Sequence, residues 1–370
     1  MSIRFSSHLK QLPPWFDNHG PEDGVIVGTM GRLVRNLKGE VFPGWSTAES
    51  RKRVAEKLIP VVRSIPGFKQ ATHAEMTELS KEERKLLLER KQITPCLAAR
   101  QDGCHVFINK KQDTIIMLNE EEHLAAHHFA AGNKLKSIVT DLRKKAQLID
   151  KQAEIAYNKE YGYLTSMTAE CGDGIQLYMV LHLPGHAMLN QIDKLERALN
   201  KMHLNLSPFY SEYGEETSNL YVLFSTPTPS GSTDDILGHM SNIAENLVEK
   251  EHLLRNKISA EDFLHLSDII GRTYGMLLYG RMMGYPEMLY TVSQLRLALN
   301  LEFLECERGE SSLLTLLNNL LLMAAPTHLA YTAEEPSPQL QKVLRMHLMS
   351  RVANAISLND DLSQISFPKE

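Results

Sequence analysis

Paired cysteines are missing from this sequence, and so are long apolar runs. Only four cysteines occur in 370 residues, Cys96, Cys104, Cys171 and Cys306, and no two stand in a CxxC pair. Such spacing excludes a disulfide framework and a zinc ribbon, and it fits a reducing, cytoplasmic setting. No apolar stretch approaches the roughly 20 residues that a membrane span needs, so no membrane association is expected. The opening residues MSIRFSSHLKQLPPWF lack an apolar segment, so no secretory signal is expected. An excess of positive charge is absent too. The formal net charge is -5, which excludes broad electrostatic attraction to nucleic acid. No internal repeat and no low-complexity tract is present.

What remains is an ordinary soluble composition, 43% hydrophobic and 23% charged, at a length that suits two domains. Residues 1–24 are polar and proline-rich and read as an N-terminal arm. Val25 to Val27 begins a short apolar element. Val54, Leu58, Val61 and Val62 recur at helical spacing over 48–64, and 80–92 is a charged helix. Residues 105–108 and 114–118 read as neighbouring strands joined by a polar turn. Leu135, Ile138, Val139, Leu142, Ala146 and Ile149 share one helix face whose opposite side is basic, a solvated face. Strict alternation makes 175–183 a half-buried strand. Met188 to Met202 reads as one helix and 219–225 as a strand, and TPTPSGST (226–233) is a break. From 234 to about 355 the pattern is helical throughout, with no strand, and 356–370 reads as a loose tail. The Leu-rich segment 310–325 fits either a core helix or a subunit interface.

One stretch stands out chemically, IIMLNEEEHLAA (115–126). A buried apolar run stops at Asn119, and Glu120, Glu121, Glu122 and His123 follow at once. An Ala-rich helical start is expected after His123. Adjacent carboxylates at a strand end repel one another unless a cation lies opposite, which is how a base or a guanidinium clamp is presented. A solvated acidic turn is the plainer reading. A metal site from His123, His127, His128 and Glu120 is a third, resting on the four-residue helical spacing of the first two histidines.

Five stretches, taken in order and including the acidic one, carry a family likeness: GRLVRNLKGEVFP (31–43), MLNEEEHL (117–124), EYGYLTS (160–166), GDGIQLYMVLHLP (172–184) and FYSEYGEETSNLY (209–221). With RTYGMLLYGRMM (272–283) and QLRLALNLEFL (294–304), they resemble the guanidino (phosphagen) kinases, above all the bacterial protein-arginine kinases. The resemblance implies an α+β fold, an antiparallel β-sheet flanked by helices over 25–233, followed by an all-helical C-terminal domain over 234–355. It implies phosphorylation of a guanidinium nitrogen by Mg-ATP, with carboxylates orienting the guanidinium and arginines clamping the phosphates.

Carried over residue by residue, the likeness makes Glu121 and Glu212 the catalytic acids. Glu120, Glu122, His123 and Glu215 surround the substrate, and Arg32, Lys91 and Gln176 lie at the nucleotide. No resident metal is implied. Most phosphate arginines are replaced, by Met30, Ala125, Gln176 and Ser207. Charge-assisted hydrogen bonds contribute about 1.5–3 kcal/mol each, so the four losses amount to roughly 6–12 kcal/mol if additive. Half of that lowers affinity or rate by about two to four decades. A pseudokinase that binds arginine side chains is therefore expected, with an active kinase on a rewired phosphate site as the alternative. The family's allosteric arginine motif falls on Gln341 to Met346, where only Arg345 agrees. The resemblance also implies a homodimer, a small zinc-binding activator and a Clp-type unfoldase as partners.

Overall fold

A computed structural model describes residues 11–17, 20, 22, 24–100, 102–167, 171–210, 218–225, 232–306, 309–333 and 336–359. Ten strands precede residue 230 among the described residues: β1 (Ile26–Arg35), β2 (Thr72–Glu75), β3 (His105–Ile108), β4 (Thr114–Leu118), β5 (Leu124–Ala131), β6 (Tyr157–Asn158), β7 (Gly162–Tyr163), β8 (Ile175–His182), β9 (Leu204–Pro208) and β10 (Leu220–Ser225). Eight of them form one sheet in the order β2-β3-β4-β5-β1-β8-β10-β9. Every pairing in it is antiparallel.

Alternation splits each strand between two cores. Ile116 and Leu118 of β4 enter the core beneath helices Ala48–Ser64 and Leu135–Gln152, while Ile115 and Met117 enter the core shared with the C-terminal helices. The expected helix faces are the buried ones. Leu135, Ile138, Val139, Leu142, Ala146 and Ile149 all face the sheet, and each aliphatic side chain so buried is stabilised by about 1.5–3 kcal/mol. That helix lies so close to β1 that a Cβ at Gly31 would come within 2.5 Å of Ile138 and Leu142.

Several expectations need correction. The short apolar element expected at Val25 to Val27 is the start of a ten-residue strand, Ile26 to Arg35. Its glycines obscure the pattern, but β5 and β8 pair with it on both sides. The stretch after His123 is strand β5, not a helix: alanine's helix preference is weak and yields to pairing with β1 and β4. The 188–202 region is two helices, Pro184–Met188 and Ile192–Asn200. The N-terminal arm contributes a short helix, Pro14–Asp17, whose Trp15 and Phe16 are buried in the core.

Helix Thr233–Glu261 is 29 residues long and is capped by Ser232, whose side chain accepts the Asp235 N–H. Its first half (Met240, Ile243, Ala244, Leu247, Val248) packs in the sheet's core, and Ile258 reaches the other core. The sheet layer thus extends past the boundary expected at 233. Glu251 on this helix is fully buried. It accepts from the Gly185 N–H at 2.7 Å, His186 at 2.7 Å and Arg255 at 2.7 Å. Burial alone would raise the Glu251 carboxyl, but the His186 hydrogen bond and the Arg255 charge hold it below its usual range.

Beyond it lie helices Phe263–Tyr279, Tyr285–Asn300, Glu310–Met323, Pro326–Thr332 and Pro338–Ala353. The region is not purely helical, because β11 (Leu304–Cys306) pairs with β12 (Ile356–Leu358). This pairing also ties down residues read as the start of the tail. The leucines Leu313, Leu314, Leu317, Leu320, Leu321 and Leu322 are buried in the chain's own core. Of the two readings of that segment, the core helix holds. Arg345 is buried as well, donating to the carbonyls of Ala324 at 2.9 Å and Met283 at 3.0 Å. No single helix among the described residues is long and apolar enough to cross a membrane.

Candidate active site

The acidic stretch is the turn between β4 and β5. Asn119 opens it in the left-handed region, at φ 57°, which asparagine tolerates better than most residues. Its amide donates to the carbonyls of Arg51 at 2.8 Å and Gly103 at 2.6 Å. The turn is not a wet one. Glu120 and Glu122 are 2% and 0% exposed, whereas the Glu121 side chain is 51% exposed.

Each acid has a different environment. Glu120 accepts from Thr94 Oγ1 at 2.5 Å and from the Glu121 N–H at 2.8 Å. Glu122 accepts from Asn36 Nδ2 at 2.5 Å, and from the Ser166 N–H at 2.9 Å and hydroxyl at 2.7 Å. Burial raises its pKa, and the Ser166 and Asn36 donors oppose that rise. Glu122 therefore fastens the 164–166 segment to the turn. His123 is buried, with Nδ1 accepting the Leu37 N–H at 3.0 Å and Nε2–H donating to the Val41 carbonyl at 2.9 Å. Burial lowers its pKa. It is a neutral brace for the chain after β1. Of the acids in the turn, only Glu121 is open to solvent.

Strand register groups the remaining positions. Gln176, Arg32, His127 and Ile115 form one cross-strand row. Phe224, Tyr178, Met30 and Phe129 form the next, and Ser207, Val222, Val180 and Gly28 the one after. Val34, Ala125 and Met117 lie on the other side of the Arg32 row. Rows two residues apart share a face. Met30, Ala125, Gln176 and Ser207 therefore occupy a single face of the sheet, with Arg32 among them.

Arg32 is 7% exposed. Its Nη1 donates to Gln176 Oε1 at 3.1 Å, and its Nη2 lies 3.7 Å from Glu120 and 3.6 Å from Glu121. Beside it, burial and the Arg32 charge push His127 down to about 3. Trp15 packs against this face, 5.7 Å from the Phe129 ring and 6.0 Å from Phe209. Lys91 sits at the edge, its Nζ 4.7 Å from the Phe209 ring centroid and 5.5 Å from that of Tyr210, which is cation–π geometry. Glu212 and Glu215 lie outside the described residues.

The histidine metal reading does not survive. His127 and His128 follow one another on a strand and point to opposite faces. His128 bonds Thr114 at 2.8 Å and lies 3.4 Å from Asp141, while both His123 nitrogens hold backbone. Cys96, Glu120 and Glu121 do bring ligand atoms within 4.8 Å of one another, but the Arg32 cation already stands against both acids. Burial pushes the Cys96 thiol up, and the two glutamates add to that rise against the Arg100 hydrogen bond. Thr94, Asn36 and Ser166 were not singled out from sequence. Ser166 lies in a stretch that carries the family likeness, while Thr94 announces itself only as a residue before proline at a helix start.

The structure thus presents an eight-stranded antiparallel sheet with three consecutive acids, Glu120, Glu121 and Glu122, at the β4–β5 turn. Residues 53–254 match the family described as ATP:guanido phosphotransferase, C-terminal catalytic domain, and the chain belongs to that family. Within it the chain stands with the protein-arginine kinases. Residues 264–360 match the protein-arginine kinase McsB C-terminal domain. The protein-arginine kinase of Halothermothrix orenii is 24% identical over 347 residues, 93% of this chain and 97% of that one. That of Bacillus cereus strain AH187 is 25% identical over 327 residues, 88% and 91% of the two chains. In fold, the chain resembles the duplicated taurocyamine kinase from Schistosoma mansoni with bound transition state analog components. The TM-score is 0.59 at 19% identity, over 74% of this chain and 41% of that longer one. Lombricine kinase gives a TM-score of 0.56 at 17% identity, over 69% and 72%.

Proposed function

We propose that this member of the protein-arginine kinase group is a pseudokinase, a module that recognises arginine side chains without phosphorylating them. One observation carries this reading. The sheet face that would meet a nucleotide's phosphates reads Met30, Ala125, Gln176 and Ser207, and Arg32, which remains, is drawn to Glu120 and Glu121 at 3.7 and 3.6 Å. A guanidinium held by two carboxylates offers little net positive potential to a triphosphate. The side chains of Met30 and Phe129 on the same face offer a phosphate no hydrogen-bond donor. The described residues of this face do not suit a triphosphate, and this reading assigns them no phosphoryl transfer.

The Glu121 carboxylate, half exposed beside Arg32, suits a fork of guanidinium donors. Glu212 is the second acid of this reading, and protein arginine is its ligand. A homodimer, a zinc-binding activator and a Clp-type unfoldase belong to the same proposal through family alone. A second reading, an active kinase, is favoured by that open Glu121 with Arg32 and Lys91 kept nearby. Calorimetric titration of the purified chain with Mg-ATP separates the two. The folded protein is expected to show no binding up to millimolar nucleotide. Micromolar affinity overturns the pseudokinase reading. Loss of one class of arginine-peptide binding site in Glu121→Gln identifies the acid that holds the ligand there.

A further inference from the structure

A cavity of about 770 Å³ lies between the sheet domain and the C-terminal helices, outside the acidic site. Its size falls within the range of about 300–1,000 Å³ typical of small-ligand sites. Three layers contribute to it. The segment 187–193 and the start of β10 form one side, the end of helix Thr233–Glu261 with the start of Phe263–Tyr279 another, and helix Tyr285–Asn300 the third.

The floor holds an unusual group. Gln294 is 4% exposed, and its side-chain carbonyl oxygen has no hydrogen-bond partner. A buried acceptor left bare is costly, so the position calls for a donor from a ligand. Its floor neighbour Asn219 is held in place, donating to Ser293 Oγ at 3.0 Å. Around the rim stand two carboxylates, Asp193 and Asp262, together with the exposed ring of Tyr290 and the imidazole of His265. Asp262 joins two helices, yet its side chain caps neither. The walls between floor and rim include Ile258 and Ile269.

These groups define one ligand chemistry. A deep bare acceptor and an acidic rim require a cation with several donors directed apart. An aromatic face at the mouth suits a flat cation, and apolar walls suit a methylene stem. A guanidinium presents five donors in a planar fork, whereas an ammonium is a compact point charge. We infer that this interdomain cavity is a binding site for an alkylguanidinium cation, separate from the acidic turn at Glu121. It takes contacts from both domains, so an occupied site ties them together.

The test is calorimetric titration of the full chain carrying Glu121→Gln, with agmatine and with N-acetyl-arginine amide as probes. Binding is expected to persist in that variant and to weaken at least tenfold when Asp262→Asn is added. Asp262 is exposed and caps no helix, so that change leaves the fold intact, which a thermal melt verifies. Gln294→Leu is expected to weaken binding as well. Tighter binding of the capped arginine assigns the cavity to protein arginine, and tighter binding of agmatine to a free guanidine; either order supports the site. Loss of all binding in Glu121→Gln overturns the proposal, as does an unchanged affinity in Asp262→Asn. Equal affinity for cadaverine overturns the guanidinium assignment.

Discussion

His127 gives a quantitative handle on how closed the sheet face around Arg32 is. The side chain stands in the Arg32 row, and its Nε2 has no hydrogen-bond partner. Burial, with a contribution from Arg32, pushes its pKa from 6.5 down to about 3. In the unfolded chain this histidine takes up a proton as the pH falls below its ordinary value, while the folded chain refuses it. The penalty is therefore absent well above pH 6.5, grows as pH falls, and is complete only near pH 3. Linkage makes it about 2 kcal/mol at pH 5 and roughly 3 kcal/mol at pH 4. His127→Leu removes the titrating group and keeps an apolar filling. Urea unfolding of both chains at about pH 7, 5 and 4 measures the difference. The variant is expected to gain about 2 kcal/mol on the parent between pH 7 and 5. Buried His123, His182 and His328 are common to both chains, so their effects cancel in the comparison. Parallel pH profiles would refute the reasoning and mean that water or anions reach the face.

Glu251→Ala strands Arg255 and His186 in the interior and is expected to cost about 3–5 kcal/mol by denaturant unfolding. Gly31→Ala places a methyl against Ile138 and Leu142, and overpacking of about 1–3 kcal/mol should lower its unfolding midpoint. Ser166→Ala removes a 2.7 Å donor from buried Glu122. A loss of about 1.5–3 kcal/mol is expected, together with a further rise of the Glu122 pKa, which a carboxyl-resolved NMR titration would register.

Legibility followed the strength of the local signal. The Leu135 to Ile149 face and the 175–182 alternation are long and regular, so their elements follow from periodicity alone. β1 carries two glycines and β5 is rich in alanine, so each is a strand only because neighbours on both sides supply hydrogen-bond partners. The buried Trp15 and Phe16 were hidden in the same way. A four-residue helix has no period to detect, and it exists because β5 and helix Glu310–Met323 pack against it.

The acidic turn divides along the same line. The order of residues from Asn119 to His123 is a fact of sequence, and the family likeness drawn on it sets Met30, Ala125, Gln176 and Ser207 where arginines are expected. Which acid is open, which acid braces a loop, and that Arg32 leans on two of them were decided by tertiary structure. Burial and partners come from segments far apart in the chain: Asn36, Thr94 and Ser166 reach the turn from three different elements. Periodicity records which face a residue takes, but not what lies across from it. The interdomain cavity belongs wholly to the second kind, since Asp193, Asp262 and Gln294 converge only when helices distant in sequence pack together.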